Sequence, residues 1–181
     1  MKTILLACLL GLAGTAAHAA EPLATIPSLE VPRYLGNWYE IAKYPNRFQR
    51  QCASDTVATY AQRSDGTLDV TNRCRRSDGS VDEAHGQARQ RGGPGSPRLQ
   101  VRFAPAWLSF VPMVWGDYWV IDLDPDYQLV AVSEPKREYL WVLARQPQVA
   151  PDKWEALMAR LVKQGLDPAR LERTPQSAAK P

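Results

Sequence analysis

Gly36-Asn37-Trp38-Tyr39-Glu40 opens the first β-type run of the chain, Asn37 to Tyr44. Outward from it, runs and turn signals alternate at close spacing. Ser54 to Ala61 is followed by Ser64-Asp65-Gly66, a tight-turn sequence, and then by Thr67 to Cys74. Ser77-Asp78-Gly79 repeats the turn chemistry before Val81 to Gln90. Gly92-Gly93-Pro94-Gly95-Ser96-Pro97 reads as a loop, because its glycines and prolines suit neither helix nor strand. Arg98 to Phe103, Tyr118 to Leu123, Gln128 to Ser133 and Tyr139 to Arg145 complete the set. About eight strands joined mainly by short turns indicate an antiparallel meander, not βαβ units.

Strand alternation assigns faces. In Leu99-Gln100-Val101-Arg102-Phe103 the apolar residues share one side, and Leu68, Val70 and Asn72 alternate with Asp69, Thr71 and Arg73. Leu129 to Val132 and Leu140 to Ala144 are apolar on both sides, so they need cover outside as well as inside. Pro151 to Gln164 supplies it. Trp154, Leu157, Met158, Leu161 and Val162 fall at helical spacing, Pro151 suits the first helical position, and Gly165 suits the C-terminal cap. This helix is expected to dock on the last two strands.

Lys2, the apolar run Ile4 to Leu12 and the small-x-small triplet Ala17-His18-Ala19 read as a signal peptide over 1–19, leaving one domain over 20–181. Leu5-Leu6-Ala7-Cys8 looks like a lipid-attachment motif, but the apolar run continues past Cys8, which argues against an anchor there. Cys52 and Cys74 then remain. In an exported chain such a pair points to a disulfide, two buried free thiols being the alternative. The net charge of +3 is small and scattered, which excludes nucleic acid as a partner. No metal pattern or cofactor motif is present, and His85 is the one histidine outside the signal segment.

The Gly36–Glu40 stretch, Asp126-Tyr127 in the turn after Gly116 to Ile121, and Arg145 at the end of Tyr139 to Arg145 stand in an order that resembles the three signatures of the lipocalins. Within them the chain is similar to the bacterial outer-membrane, plant temperature-induced and apolipoprotein D branches. The resemblance implies an all-β fold: an eight-stranded antiparallel up-and-down β-barrel over about 34–146, with one C-terminal α-helix packed outside over about 151–164. It implies that Trp38 plugs the closed end beneath Arg145, so Gly36, Trp38, Asp126, Tyr127 and Arg145 are structural. A guanidinium on an indole contributes about 0.5–2 kcal/mol, and its planar donors can satisfy carbonyls of the N-terminal segment.

If Arg145 and Trp38 point inward, parity carries others with them. The expected ligand-binding lining is Glu40, Ala42, Val70, Asn72, Ala88, Leu99 and Val101, continued by Phe103, Tyr118, Val120, Ala131, Trp141 and Leu143. Glu40 is the exception in an apolar wall. Either it bonds to a neighbour such as Tyr118 or Asn72, or it meets a ligand's polar head. Ala104 to Trp115 carries no charge but holds Trp107, Leu108, Phe110, Val111, Met113, Val114 and Trp115. It is expected at the open mouth, as a lid or as an exposed tip that docks on a membrane.

The function these features imply is binding and transport or storage of apolar lipids, fatty acids or lysophospholipids, by a non-enzymatic protein of the periplasm associated with the outer membrane. A homodimer through the mouth is compatible with the apolar loop. Alternatives are an enzyme on the same scaffold, for which Cys52 or Cys74 would be the reactive group, and a carrier of an apolar pigment.

Overall fold

The computed structural model describes residues 21–177; Cys8 and the expected cleavage site lie outside them. A single helical turn, α1 (Val31–Tyr34), leads into β1 (Gly36–Lys43). β2 (Ser54–Gln62), β3 (Leu68–Arg75), β4 (Val81–Gln90) and β5 (Arg98–Arg102) follow, then β6 (Gly116–Leu123), β7 (Leu129–Ser133) and β8 (Leu140–Ala144). Each strand pairs antiparallel with the next, and β1 pairs with both β8 and β2, so the sheet closes into an eight-stranded barrel. Helix α2 (Pro151–Lys163) packs outside, and a two-residue strand, β9 (Glu172–Arg173), pairs with β1. β9 has no sequence signal, being too short to show alternation.

Two apolar clusters divide the inside from the outside. Trp38, Leu68, Val70, Leu99, Val130, Val132 and Leu143 belong to the interior cluster. Ile41, Ile121, Leu129, Ala131, Val142 and Ala144 meet Leu157 and Leu161 of α2 in the other. The helix therefore covers β1 and β6 as well as the last two strands. Its buried face is narrower than expected: Val162 is exposed. Arg160 grips Asp122 of β6 with both Nε (2.6 Å) and Nη2 (2.9 Å), which fixes the helix on the wall.

Two expected lining residues belong to the outer side. Ala131 lies in the cluster under α2. β7 is apolar on both faces, so alternation had nothing to distinguish. In β1 the register with β8 shifts between Glu40 and Ala42: Glu40 faces Leu143, whereas Ala42 faces Val142 of the outer cluster. This bulge reverses the parity, turning Ala42 outward and setting Lys43 opposite the inner Trp141.

Residues 172–177 fill a seam. β1 pairs with β2 only over Gly36 to Tyr39. Beyond that, Thr174 N–H donates to the Ile41 carbonyl (3.0 Å) and Asp55 N–H to the Pro175 carbonyl (2.9 Å). The Gln176 amide donates to the carbonyls of Glu40 (2.8 Å) and Thr56 (3.0 Å), bridging the splayed strands. Nearby, a disulfide joins Cys52 to Cys74 of β3, closing a loop of 22 residues.

Candidate functional site

The closed end is built first. Gly36 takes φ +88°, a left-handed conformation that glycine tolerates, and delivers Trp38 into the interior. Trp38 is fully buried, and its Nε1–H donates to the Tyr34 carbonyl at 2.8 Å. Arg145 lies over the indole with Cζ 3.9 Å from the ring centre. The same guanidinium donates to the carbonyls of Asn37 (2.8 Å), Arg33 (2.7 Å) and Tyr127 (3.3 Å). Tyr127 holds φ 58° and its hydroxyl accepts from Glu30 N–H at 3.0 Å. Asp126 is exposed, and Asp124 is the carboxylate that accepts from the backbone of Gln128 and Leu129 in this turn.

Above Trp38 lies a feature of which the expected lining held only Tyr118. The Tyr118 hydroxyl sits 2.7 Å from that of Tyr34 and 2.8 Å from that of Tyr60. Tyr60 and Tyr118 come from β2 and β6, opposite walls of the ring, so the three hydroxyls bridge the interior. Burial pushes the Tyr60 hydroxyl up to about 12. Burial is also the leading cause that holds Tyr34 and Tyr118 well above the usual phenol range. All three are therefore neutral donors. Tyr118 was expected inside. Tyr60 was legible from the alternation of Ala58 and Tyr60 in β2, whereas Tyr34, in a four-residue helix, carried no pattern.

The wall above is apolar. Val70, Ala88, Leu99, Val120 and Leu143 are buried in the inner cluster, and Val101 and Trp141 pack on it while partly exposed. Asn72 is half-buried on β3. Phe103 is 45% exposed at the rim. Its ring covers Gly86 of β4 so closely that a Cβ at Gly86 would stand 2.8 Å from Phe103 Cδ1 and 2.6 Å from the Arg102 carbonyl oxygen.

Glu40 is buried but does not meet Tyr118 or Asn72. Its Oε2 accepts from Gln49 Nε2 and its Oε1 from Thr174 Oγ1, each at 2.6 Å. Gln49 Oε1 in turn accepts from Trp141 Nε1 at 2.8 Å. Burial raises the Glu40 carboxyl above its ordinary value, while the two hydrogen bonds and Lys43 oppose that rise. Gln49 and Thr174 lie outside the regular strands and showed no motif.

At the mouth, residues 104–115 form two short 3-10 turns, Ala106–Leu108 and Pro112–Val114. Among the described side chains of this loop, none belongs to either apolar cluster. Trp107, Phe110 and Met113 are 71%, 77% and 93% exposed, and Leu108 and Val111 are half-buried. Trp115 fixes the loop's base. It stacks against the guanidiniums of Arg89 (3.9 Å) and Arg102 (5.2 Å) on the outer wall, and its Nε1–H donates to the Ser109 carbonyl at 2.9 Å. The loop is thus tethered outside the barrel with an apolar tip in solvent. Across the open end from it, at the connection of β1 and β2, a cleft of about 340 Å³ is lined by Lys43, Arg47, Gln49, Arg50 and Glu172 among others. Cys52 and Cys74, being joined, offer no thiolate. His85 faces solvent on the outer wall beside Glu83. Among the described residues no cluster has the ligand set of a metal site, and no helix is long and apolar enough to cross a membrane.

Comparison with known proteins matches this geometry. The family model described as a lipocalin-like domain matches residues 29–176. Temperature-induced lipocalin-1 of Arabidopsis thaliana is 40% identical over 162 residues, covering 89% of this chain and 87% of that protein. Outer membrane lipoprotein Blc of Escherichia coli K12 is 34% identical over 146 residues, covering 80% and 78%. In three dimensions, insecticyanin from the tobacco hornworm Manduca sexta superposes with a TM-score of 0.68 at 15% identity, covering 89% of this chain and 88% of that one.

Proposed function

The chain belongs to the lipocalin family, whose members bind small hydrophobic ligands, and on that premise we propose that it holds and carries single-chain lipids, fatty acids or lysophospholipids, within the bacterial envelope. The carrying observation is the pairing of an apolar barrel interior with an uncharged mouth loop that exposes Trp107, Phe110 and Met113. Tryptophan and other large apolar side chains partition to the bilayer interface. Arg47 and Arg50, exposed in the connection of β1 and β2 across the open end, add attraction to anionic head groups. A loop tethered at Trp115 and free at its tip can dock on a membrane while the mouth stays open to a lipid. The signal-like stretch 1–19 and similarity to a protein named an outer membrane lipoprotein support the envelope as its place of work.

Native mass spectrometry of the protein purified from the periplasm tests this reading. Adducts of acyl-lipid mass are expected. A bare protein that also fails to bind a fluorescent fatty acid would overturn it. The intact mass also reports the N-terminus: a chain starting at Ala20 without a lipid is expected.

A further inference from the structure

The three buried hydroxyls at the barrel floor do not balance. Tyr34, Tyr60 and Tyr118 bring three O–H donors, and the contacts at 2.7 and 2.8 Å use two of them. Whichever way each bond runs, one proton remains. A buried hydroxyl without an acceptor is costly, on the order of 1–3 kcal/mol, and buried polar groups normally find a partner. Every arrangement uses two donors and two lone pairs; in the one where Tyr34 and Tyr60 both donate to Tyr118, the free proton is the central one, and the two bonds that Tyr118 accepts polarise its O–H and strengthen it as a donor. The surroundings are hydrocarbon: Leu99, Val120 and Leu68 share the cluster. An all-apolar ligand tail would leave the proton without a partner.

We propose that these three hydroxyls form a polar subsite that takes the carboxyl or hydroxyl end of a single-chain lipid inserted head first. This rests on the container reading above and narrows it. A fatty acid or fatty alcohol can place its oxygen at the floor, whereas a lysophospholipid must leave its charged head group at the mouth and present a methyl end to Tyr118.

Displacement of an apolar fluorophore by hexadecanol, hexadecane and a palmitoyl lysophospholipid tests it, on the wild type and on Tyr118→Phe. The hexadecanol-to-hexadecane affinity ratio should fall roughly five- to tenfold in Tyr118→Phe, the scale of one lost hydrogen bond. Lysophospholipid affinity should stay within about twofold. Tyr60→Phe and Tyr34→Phe, each removing one hydroxyl that feeds Tyr118, should lower the ratio in the same direction, and they carry the test if Tyr118→Phe does not fold. An unchanged ratio in all three variants overturns the subsite while leaving the container intact, as does an equal fall for lysophospholipid. Wild-type protein that binds none of the three probes overturns the container reading and the subsite with it.

Discussion

Thr174 Oγ1 donates to Glu40 Oε1 at 2.6 Å across a separation of 134 residues. The bond and its partner from Gln49 hold a carboxyl inside a wall where burial raises its affinity for protons. Because the folded-state value lies above the unfolded one, the folded state binds the proton more tightly. Glu40's contribution is therefore fully present below the ordinary value near 4.5 and is lost as pH rises through the folded value. Glu40→Gln should remove this loss, so its urea midpoint should gain on the wild type between pH 4 and pH 8. Glu40→Ala orphans the Gln49 amide and the Thr174 hydroxyl and should cost about 2 kcal/mol.

Arg145→Lys should be far from conservative. Lysine keeps the charge but cannot lie flat on Trp38 while donating to three carbonyls. A loss of about 2–3 kcal/mol in denaturant unfolding is expected, from the stacking contribution plus at least one charged hydrogen bond.

Gly86→Ala should destabilise although alanine is small. The new Cβ would press on the Arg102 carbonyl, which is backbone and cannot step aside. Overpacking of this kind costs about 1–3 kcal/mol. If Phe103→Ala is added, only the ring clash is relieved, so thermal melting should recover in part.

Replacing Cys52 and Cys74 with serine should lower stability by about 3 kcal/mol, the loop-closure contribution for a ring of this size. Chemical denaturation of the double variant, compared with the wild type in the presence and absence of reductant, measures it. The reduced wild type should match the variant.

Trp107→Ser, Phe110→Ser and Met113→Ser together should abolish co-sedimentation with anionic liposomes and leave the melting temperature unchanged, since none of these side chains packs in either cluster. Unchanged sedimentation would exclude docking through this loop.

The strands were readable wherever one face is wet. Leu68, Val70, Leu99 and Val101 alternate with polar neighbours, and their faces follow from that. Sequence reading failed at Ala131 because the helix makes both faces of β7 apolar, and at Ala42 because a bulge adds a residue that no pattern announces. Val162 failed for the opposite reason: an apolar residue at helical spacing can still lie past the edge of the contact. The loop of residues 104–115 was legible as apolar, but the clamp of Arg89 and Arg102 on Trp115 joins three separate segments and has no local trace. Tyr34, Gln49 and Thr174 share that difficulty. Each acts through a contact distant in sequence, with Tyr118, Trp141 and Glu40 respectively, where composition and periodicity are silent.

The wedge of residues 172–177 between β1 and β2 also sets a timetable. β1 lies near the start of the chain, yet its far half has no neighbour on the β2 side until Thr174 and Gln176 arrive. Such long-range pairings pay their loop-closure entropy before any contact rewards it, and they close late. Until that final insertion, the first strand carries an unpaired edge open to other chains. A shortened product ending before Glu172 should therefore reveal itself as a tendency to clump rather than as a weaker binder.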